Sequence, residues 1–200
     1  MMEISFIAAL AIFAATMTGT PGPNNMMLTA SGANFGYKRT IPHLLGISAG
    51  VALLIALVAG GLGAIFKMYP WVQEGLKYIA SAYLLYLAWR IAGSGAPSRS
   101  DSTNRRPMTF VEGALFQFVN PKAWAMAVSA VGTFTLTGGE YWWSAMVIVL
   151  TFVAVGLPLT SLWAAFGVWV GKVLSTEKSW VAFNRSMGFL TAGCLIFIWA

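Results

Sequence analysis

Long apolar runs separated by short polar segments occupy almost the whole chain. The run from Leu44 to Phe66 has 23 residues without a charge, and as a helix it would cover about 35 Å, against about 30 Å for a bilayer core. The runs lack the alternation of polar and apolar positions that is typical of membrane strands. The pattern predicts an all-α membrane protein with six transmembrane helices, approximately Ile4 to Asn34, Ile41 to Phe66, Trp71 to Ile91, Val111 to Thr135, Tyr141 to Val170 and Trp180 to Ala200.

A single long polar connector, residues 93–107, divides the chain nearly in half. Its Ser, Gly and Pro content predicts a flexible loop between two half-repeats, residues 1–92 and 108–200, of one transmembrane domain spanning residues 1–200. Nine basic residues fall on the connector's side of the membrane and two, Lys67 and Lys77, on the other; the nine are Lys38, Arg39, Arg90, Arg99, Arg105, Arg106, Lys172, Lys178 and Arg185. Because Lys and Arg favour cytoplasmic loops, we expect the connector in the cytoplasm and both termini outside.

The first apolar run contains a helix break, TPGPNN, at residues 20–25. Proline lacks an amide proton and glycine is costly to order in a helix, so Pro21, Gly22 and Pro23 interrupt it. Irregular backbone at membrane depth is tolerated only where protein buries it or a wet cavity solvates it. Pro23 can begin a second half-helix, whose first amides, at Asn24 and Asn25, would then face the break and suit a carboxylate.

A second break, QFVNPKAW at residues 117–124, interrupts the fourth run. Pro121 follows Asn120, and Lys122 is the only charge between Gly113 and Gly139. A charge inside a span indicates a functional site, although a lysine can also extend along the helix to the membrane surface.

The two breaks lie 100 residues apart, each in the first span of its half. Three spans repeated in one chain must be inverted relative to each other, and paired breaks of this kind mark the midplane site of transporters. The predicted substrate-binding residues are Pro21, Gly22, Pro23, Asn24, Asn25, Gln117, Asn120, Pro121 and Lys122.

Other function classes fit the composition less well. The chain is 58% hydrophobic and 9% charged with a net charge of +6, but the basic residues are scattered rather than forming a nucleic-acid-binding stripe. One His and one Cys are too few for an intramembrane enzyme or a metal centre, and we expect no cofactor. The lone His43, near a span end, is interpreted as a hydrogen-bonding residue. A channel, or a membrane subunit that does not transport, remains the alternative, because Gly and Pro also occur in membrane helices without function.

Three motifs together resemble the LysE family of amino-acid exporters, which includes the threonine and homoserine exporters. They are TPGPNN at residues 20–25, GYKRT at residues 36–40 and FVNPKAW at residues 118–124. The double asparagine and LFQFVN at residues 115–120 are most similar to the cysteine and O-acetylserine exporter branch.

The resemblance implies a multi-pass protein of the bacterial inner membrane that exports small neutral amino acids or their derivatives, of the cysteine, O-acetylserine, threonine or homoserine type, in exchange for protons. The expected partners are an amino-acid substrate and membrane lipid, and a homo-oligomer is left open. Many family members carry an aspartate after the proline-glycine-proline element, where this chain has Asn24 and Asn25. Since an amide cannot titrate, proton coupling here would need another group or another gradient.

Overall fold

The computed structural model describes residues 4–63, 68–95 and 106–199. Its α-helices are α1 (Ile4–Gly19), α2 (Pro23–Phe35), α3 (Tyr37–Leu57), α4 (Pro70–Ala92), α5 (Phe110–Phe116), α6 (Pro121–Phe134), α7 (Tyr141–Val173), α8 (Glu177–Gly193) and α9 (Ile196–Trp199). A π-helical turn, Val58–Leu62, extends α3, and a 3-10 turn, Gly138–Glu140, precedes α7. The described part of the chain contains no strand, which confirms the all-α class. Residues 96–105 of the predicted flexible connector lie outside the described residues.

Among the described residues, two stretches are individually long and apolar enough to cross a membrane. They are Tyr37–Leu62, with 26 residues, and Gly138–Val173, with 36 residues, and each contains an 18-residue segment with a mean hydropathy of 2.3. The pair α1 and α2 meets the same criterion together and is bent by 59°. The chain is therefore a multi-pass membrane protein. The other three predicted spans are occupied by α4, by α5 together with α6, and by α8 together with α9. Helix α8 alone has 17 residues, fewer than the ~20 that a simple crossing needs.

The outer surface of the described bundle carries large apolar side chains. Trp89, Phe189 and Leu162 are 71%, 76% and 64% exposed. In water, large apolar patches of this kind would cause association, whereas lipid tails solvate them. The surface therefore agrees with a protein that is surrounded by lipid.

Glycines let backbones touch where α2 crosses α7 and where α5 crosses α3. A Cβ atom on Gly167 would lie 2.1 Å from the carbonyl oxygen of Thr29, and one on Gly46 would lie 2.2 Å from that of Phe110. Gly171 and Gly50, four residues further along each helix, make the same kind of contact, with Ala33 and Ala114. Small residues at this spacing allow close helix packing in membranes. We call these two crossings the glycine contacts.

Apolar side chains, rather than backbone, fill the opposite end of the bundle. Helices α1, α3, α6 and α7 share a core in which Leu10, Leu54 and Ile148 are fully buried. Phe13 packs against Phe134 and Phe152, with ring centroids 5.5 and 6.2 Å apart. Because α1 precedes the first break and α6 follows the second, both breaks lie between this core and the glycine contacts.

Candidate functional site

The first break is held together by side chains that bond to its carbonyl groups. Asn25 Nδ2 donates hydrogen bonds to the carbonyl oxygens of Thr18 and Thr20, at 2.9 and 2.8 Å. Lys122 Nζ donates to the carbonyl oxygen of Thr20 at 2.7 Å, to Thr20 Oγ1 at 2.8 Å and to the carbonyl oxygen of Pro21 at 3.2 Å. The last carbonyl groups of a helix have no partner within it. Here Asn25 supplies a partner for Thr18 in α1, and Asn25 and Lys122 supply partners in the residues that follow α1.

Lys122 lies where a cation is favourable, at the carboxyl end of α1, because the helix dipole is negative there. Its side chain passes directly over Gly22, where a Cβ atom would lie 2.8 Å from Lys122 Cδ. Gly22 therefore leaves the space that the lysine stem occupies. Lys122 binds the first break instead of extending along its own helix toward the membrane surface.

The second break is closed mainly by its own backbone. Successive amides at Gln117, Phe118, Val119 and Asn120 each donate to the carbonyl three residues earlier, at 3.1 to 3.3 Å. The Asn120 side chain caps α6 by accepting from the Lys122 amide at 3.1 Å, and Trp124 Nε1 donates to the Phe118 carbonyl oxygen at 2.8 Å. These bonds span at most six residues of sequence.

Two amide side chains connect the breaks directly. Asn24 Nδ2 donates to Gln117 Oε1 at 2.8 Å, and Gln117 Nε2 donates back to Asn24 Oδ1 at 3.1 Å. Gln117 also donates to the Gly113 carbonyl oxygen at 2.9 Å and accepts from Asn120 Nδ2 at 3.3 Å. Gln117 and Asn120 are 0% and 1% exposed, so this network is buried and its polar atoms are bonded, as burial requires.

A cavity of about 40 Å³ lies beside both breaks. A bound water needs about 10–15 Å³ of cavity volume, so the cavity has room for a few waters in this conformation. Thr18 Oγ1 is buried at this cavity and has no hydrogen-bond partner among the described residues. The lining residues are Met17, Thr18, Gly22, Asn24, Asn25, Ile47, Ser48, Val51, Asn120, Lys122, Met126, Phe152, Gly156 and Thr160.

The start of α2 lies at the cavity wall, which Gly22, Asn24 and Asn25 line. Its N-cap is Gly22, which has no side chain that could accept from the first turn. The amides of Asn24 and Asn25 have no acceptor within the helix, since the first amides of a helix lack intrahelical partners. Together with the adjacent Lys122 ammonium group, these donors form an environment that suits an anionic group.

The structure brings together most of the residues that the sequence predicts for the site. Five line the cavity: Gly22, Asn24, Asn25, Asn120 and Lys122. Gln117 is bonded to Asn24, and the Pro21 carbonyl accepts from Lys122. Pro23 and Pro121 begin α2 and α6, and Pro121 lines a separate, mostly apolar cavity. The sequence did not predict Thr18 and Ser48, because an isolated hydroxyl side chain inside an apolar run gives no signal that it faces a cavity.

The interpretation of His43 as a hydrogen-bonding residue is wrong. His43 is 1% exposed, and neither ring nitrogen has a partner among the described residues. Its ring packs against α5 instead, where a Cβ atom on Gly113 would lie 3.1 Å from His43 Cδ2.

Comparisons with known proteins identify the family of the chain. A profile of the LysE type translocator family matches residues 15–197. Cysteine/O-acetylserine efflux proteins of Escherichia coli (strain K12), Shigella flexneri serotype 5b (strain 8401) and Shigella sonnei (strain Ss046) are each 33% identical over 117 residues, which cover 58% of this chain and 59% of theirs. The aligned part thus spans less than two thirds of these relatives, and no solved structure matches. The match over residues 15–197 shows that the chain belongs to the LysE type translocator family.

Proposed function

We propose that the protein is a secondary transporter that exports small neutral amino acids across the bacterial inner membrane. The observation that carries the proposal is the cavity at which the two helix breaks, Lys122 and the start of α2 meet. Family membership supports a translocator, and the names of the relatives support a substrate such as cysteine or O-acetylserine. Six spans with both termini in the periplasm complete the proposal, supported by the distribution of basic residues.

The substrate carboxylate would bind at the amides that begin α2. Those amides and Lys122 supply donors, while the side chains of Asn24, Asn25 and Asn120 can bond the ammonium group or a polar side chain of the substrate. A neutral amino acid is favoured, because no carboxylate of the described residues lines the cavity to pair a second cationic group. The cavity has about 40 Å³, so the helices must separate for an amino acid to enter.

Lys122 links substrate binding to the shape of the first break. Its three hydrogen bonds to Thr20 and Pro21 use all the donors of an ammonium group. A substrate carboxylate would take over one or more of these donors and so release the carbonyl groups of the break. In this way binding can favour a different angle between α1 and α2, as a ligand must if it is to shift a conformational equilibrium.

The packing of the helices supports two inverted repeats. Helix α2 of the first broken span packs on α7, the second span of the other half, and α5 of the second broken span packs on α3. Helices α4 and α8, the third spans of each half, pack on each other through Gly188 and the Ala88 carbonyl. A rocking motion of one repeat against the other around the breaks would then expose the site to each side in turn.

Proton exchange is the coupling that we propose, supported by the family resemblance. The amides of Asn24 and Asn25 cannot carry the proton, so it must reside on another group. Uptake of labelled amino acid into inside-out vesicles should therefore rise when a pH gradient is imposed. It should return to the rate seen without a gradient when an ionophore removes the gradient.

Counterflow in proteoliposomes tests the proposed function. Vesicles loaded with unlabelled O-acetylserine, cysteine or threonine should accumulate the labelled form of the same solute transiently and with saturation. A channel, the second candidate, would equilibrate label without saturation, and a subunit that does not transport would behave like empty liposomes. Either result would overturn the proposal.

A further inference from the structure

A second cavity, of about 160 Å³, lies on the side of the bundle that holds the glycine contacts. It is bounded by α2, the first turns of α3, the end of α4 and residues 106–108 before α5. It is larger than the cavity at the breaks and shares no lining residue with it. The connector ends that border it place it on the side that the basic residues assign to the cytoplasm.

Most polar side chains around this second cavity already have partners. Ser31 is bonded to Thr40 at 2.9 Å, and Asn34 exchanges hydrogen bonds with Asn184 at 2.8 and 3.2 Å. His43 differs, because both nitrogens of its buried ring lack a partner among the described residues. A buried polar group without a partner costs about 1–3 kcal/mol, so His43 is a group that a ligand could satisfy.

The charges at the second cavity are positive. Arg90 and Arg106 line it, and no acidic residue among the described ones does so. Arg106 is bound to Glu112 by two hydrogen bonds of 2.6 and 2.7 Å. Arg90 lies over the Tyr86 ring, 5.8 Å from its centroid, and has no acidic partner within the described residues. An arginine and an unpaired imidazole at one cavity suit a carboxylate.

One helical turn separates the two cavities. Gly113, on α5, contacts the His43 ring, and Gln117, four residues later and directly after α5, is bonded to Asn24 at the break cavity. Gln117 also bonds the Gly113 carbonyl oxygen. A solute that moved from the second cavity to the helix breaks would pass this turn.

We propose that the second cavity, through Arg90 and His43, binds the carboxylate of an amino acid on its way from the cytoplasm to the helix breaks. The proposal rests on the proposed export function for the identity of the solute. The binding itself can be measured without transport.

A cysteine placed in the second cavity can report its occupancy. Ser94 lines the cavity and donates to the Arg90 carbonyl oxygen at 3.0 Å. Cys194 is the single native cysteine, so Ser94→Cys in a Cys194→Ala background carries one thiol. The rate at which N-ethylmaleimide modifies this thiol would be measured in phosphatidylcholine nanodiscs with L-serine, propionate or ethylamine added.

L-Serine and propionate should slow the modification, and ethylamine, which lacks a carboxylate, should not. Arg90→Gln and His43→Leu should raise the concentration that gives half protection at least about ten-fold, as expected from the loss of a hydrogen bond to a charged group. Arg90→Lys should retain protection, and Arg185→Gln, a control outside this cavity, should not change it. Retained protection in Arg90→Gln would overturn the proposal even if His43→Leu failed to fold.

The same measurement separates other occupants from an amino acid. If phosphatidylglycerol in the nanodisc slowed modification with no solute added, the ligand would be a lipid phosphate and the proposal would be wrong. Equal protection by ethylamine, or none by either carboxylate, would also overturn it. Protection without counterflow in proteoliposomes would support the carboxylate site while rejecting export, so the two proposals can fail separately.

Discussion

The two helix breaks of this protein are stabilised in different ways. The first, at residues 20–22, is bonded by Lys122, about a hundred positions away in the sequence, and by Asn25. The second, at residues 117–120, is closed by amides that bond three residues back and by its own N-cap. Both breaks follow from proline, but only in the first are backbone carbonyl groups of the break bonded by a side chain from the other half of the chain.

This difference indicates which break can respond to a ligand. A turn closed by its own backbone keeps its shape when neighbouring helices move, since its partners move with it. The first break loses the bonds to Thr20 and Pro21 whenever Lys122 finds a better partner. We therefore expect the second break to act as a rigid platform and the first to change its angle.

The largest expected effect is that of Lys122→Ala. It removes three hydrogen bonds from an ammonium group, and one such bond is worth about 1.5–3 kcal/mol. Counterflow should fall at least about 100-fold, since each 1.36 kcal/mol is a factor of ten in rate. Lys172→Ala, at an exposed lysine in the last turn of α7, is the control. A folded Lys122→Ala protein with normal counterflow would show that the first break does not need the lysine.

A smaller effect is expected for Gly22→Ala, which moves Lys122 without removing it. The new Cβ atom would lie 2.8 Å from Lys122 Cδ, so the flexible stem must shift. We expect counterflow to fall about ten-fold, as if one hydrogen bond to a charged group were lost. Gly132→Ala in α6, where a Cβ atom would meet nothing within 4 Å, should transport normally. Equal rates for the two variants would mean that the position of the ammonium group is unimportant.

The smallest effect is expected at the second break, for Trp124→Phe. The change removes the bond to the Phe118 carbonyl oxygen but leaves the backbone turn intact, so the free energy of unfolding should fall by about 1 kcal/mol. Counterflow should stay near that of the wild type. Unfolding in mixed SDS micelles measures the first quantity, with Trp142→Phe, at a residue 66% exposed, as the control. Loss of counterflow in Trp124→Phe alone would contradict the idea of a rigid platform.

Much of the fold could be predicted from local sequence patterns. Apolar runs gave the positions of the helices, and Pro21, Pro23 and Pro121 marked where they break. These features are local, because proline acts on its own backbone. The π-helical turn after α3, in which Gly61 has a φ of 100°, was not predicted, since glycines in a membrane helix more commonly indicate packing.

The candidate site was predicted less completely, because its bonds are long-range. Lys122 was expected to bind substrate, but no sequence pattern indicated that its donors are already bonded to Thr20 and Pro21. The pairing of Asn24 with Gln117 joins residues 93 positions apart. Arg90 and His43 line one cavity. The sequence pattern predicts Arg90 only as one of the basic residues that indicate topology, and His43 only as a residue near the end of a span. Such contacts depend on how helices cross, which no periodicity encodes.

The glycine contacts have a consequence for how this sequence can drift over evolutionary time. Gly46, Gly167 and Gly171 face backbone atoms, foremost a carbonyl oxygen, and Gly50 faces the Ala114 carbonyl oxygen together with the side chain of Gln117. Every amino acid supplies the same carbonyl, so the partner positions on α2 and α5 are free to exchange one residue type for another. Descendants of this chain should therefore retain the four glycines while the residues that supply these carbonyl groups vary.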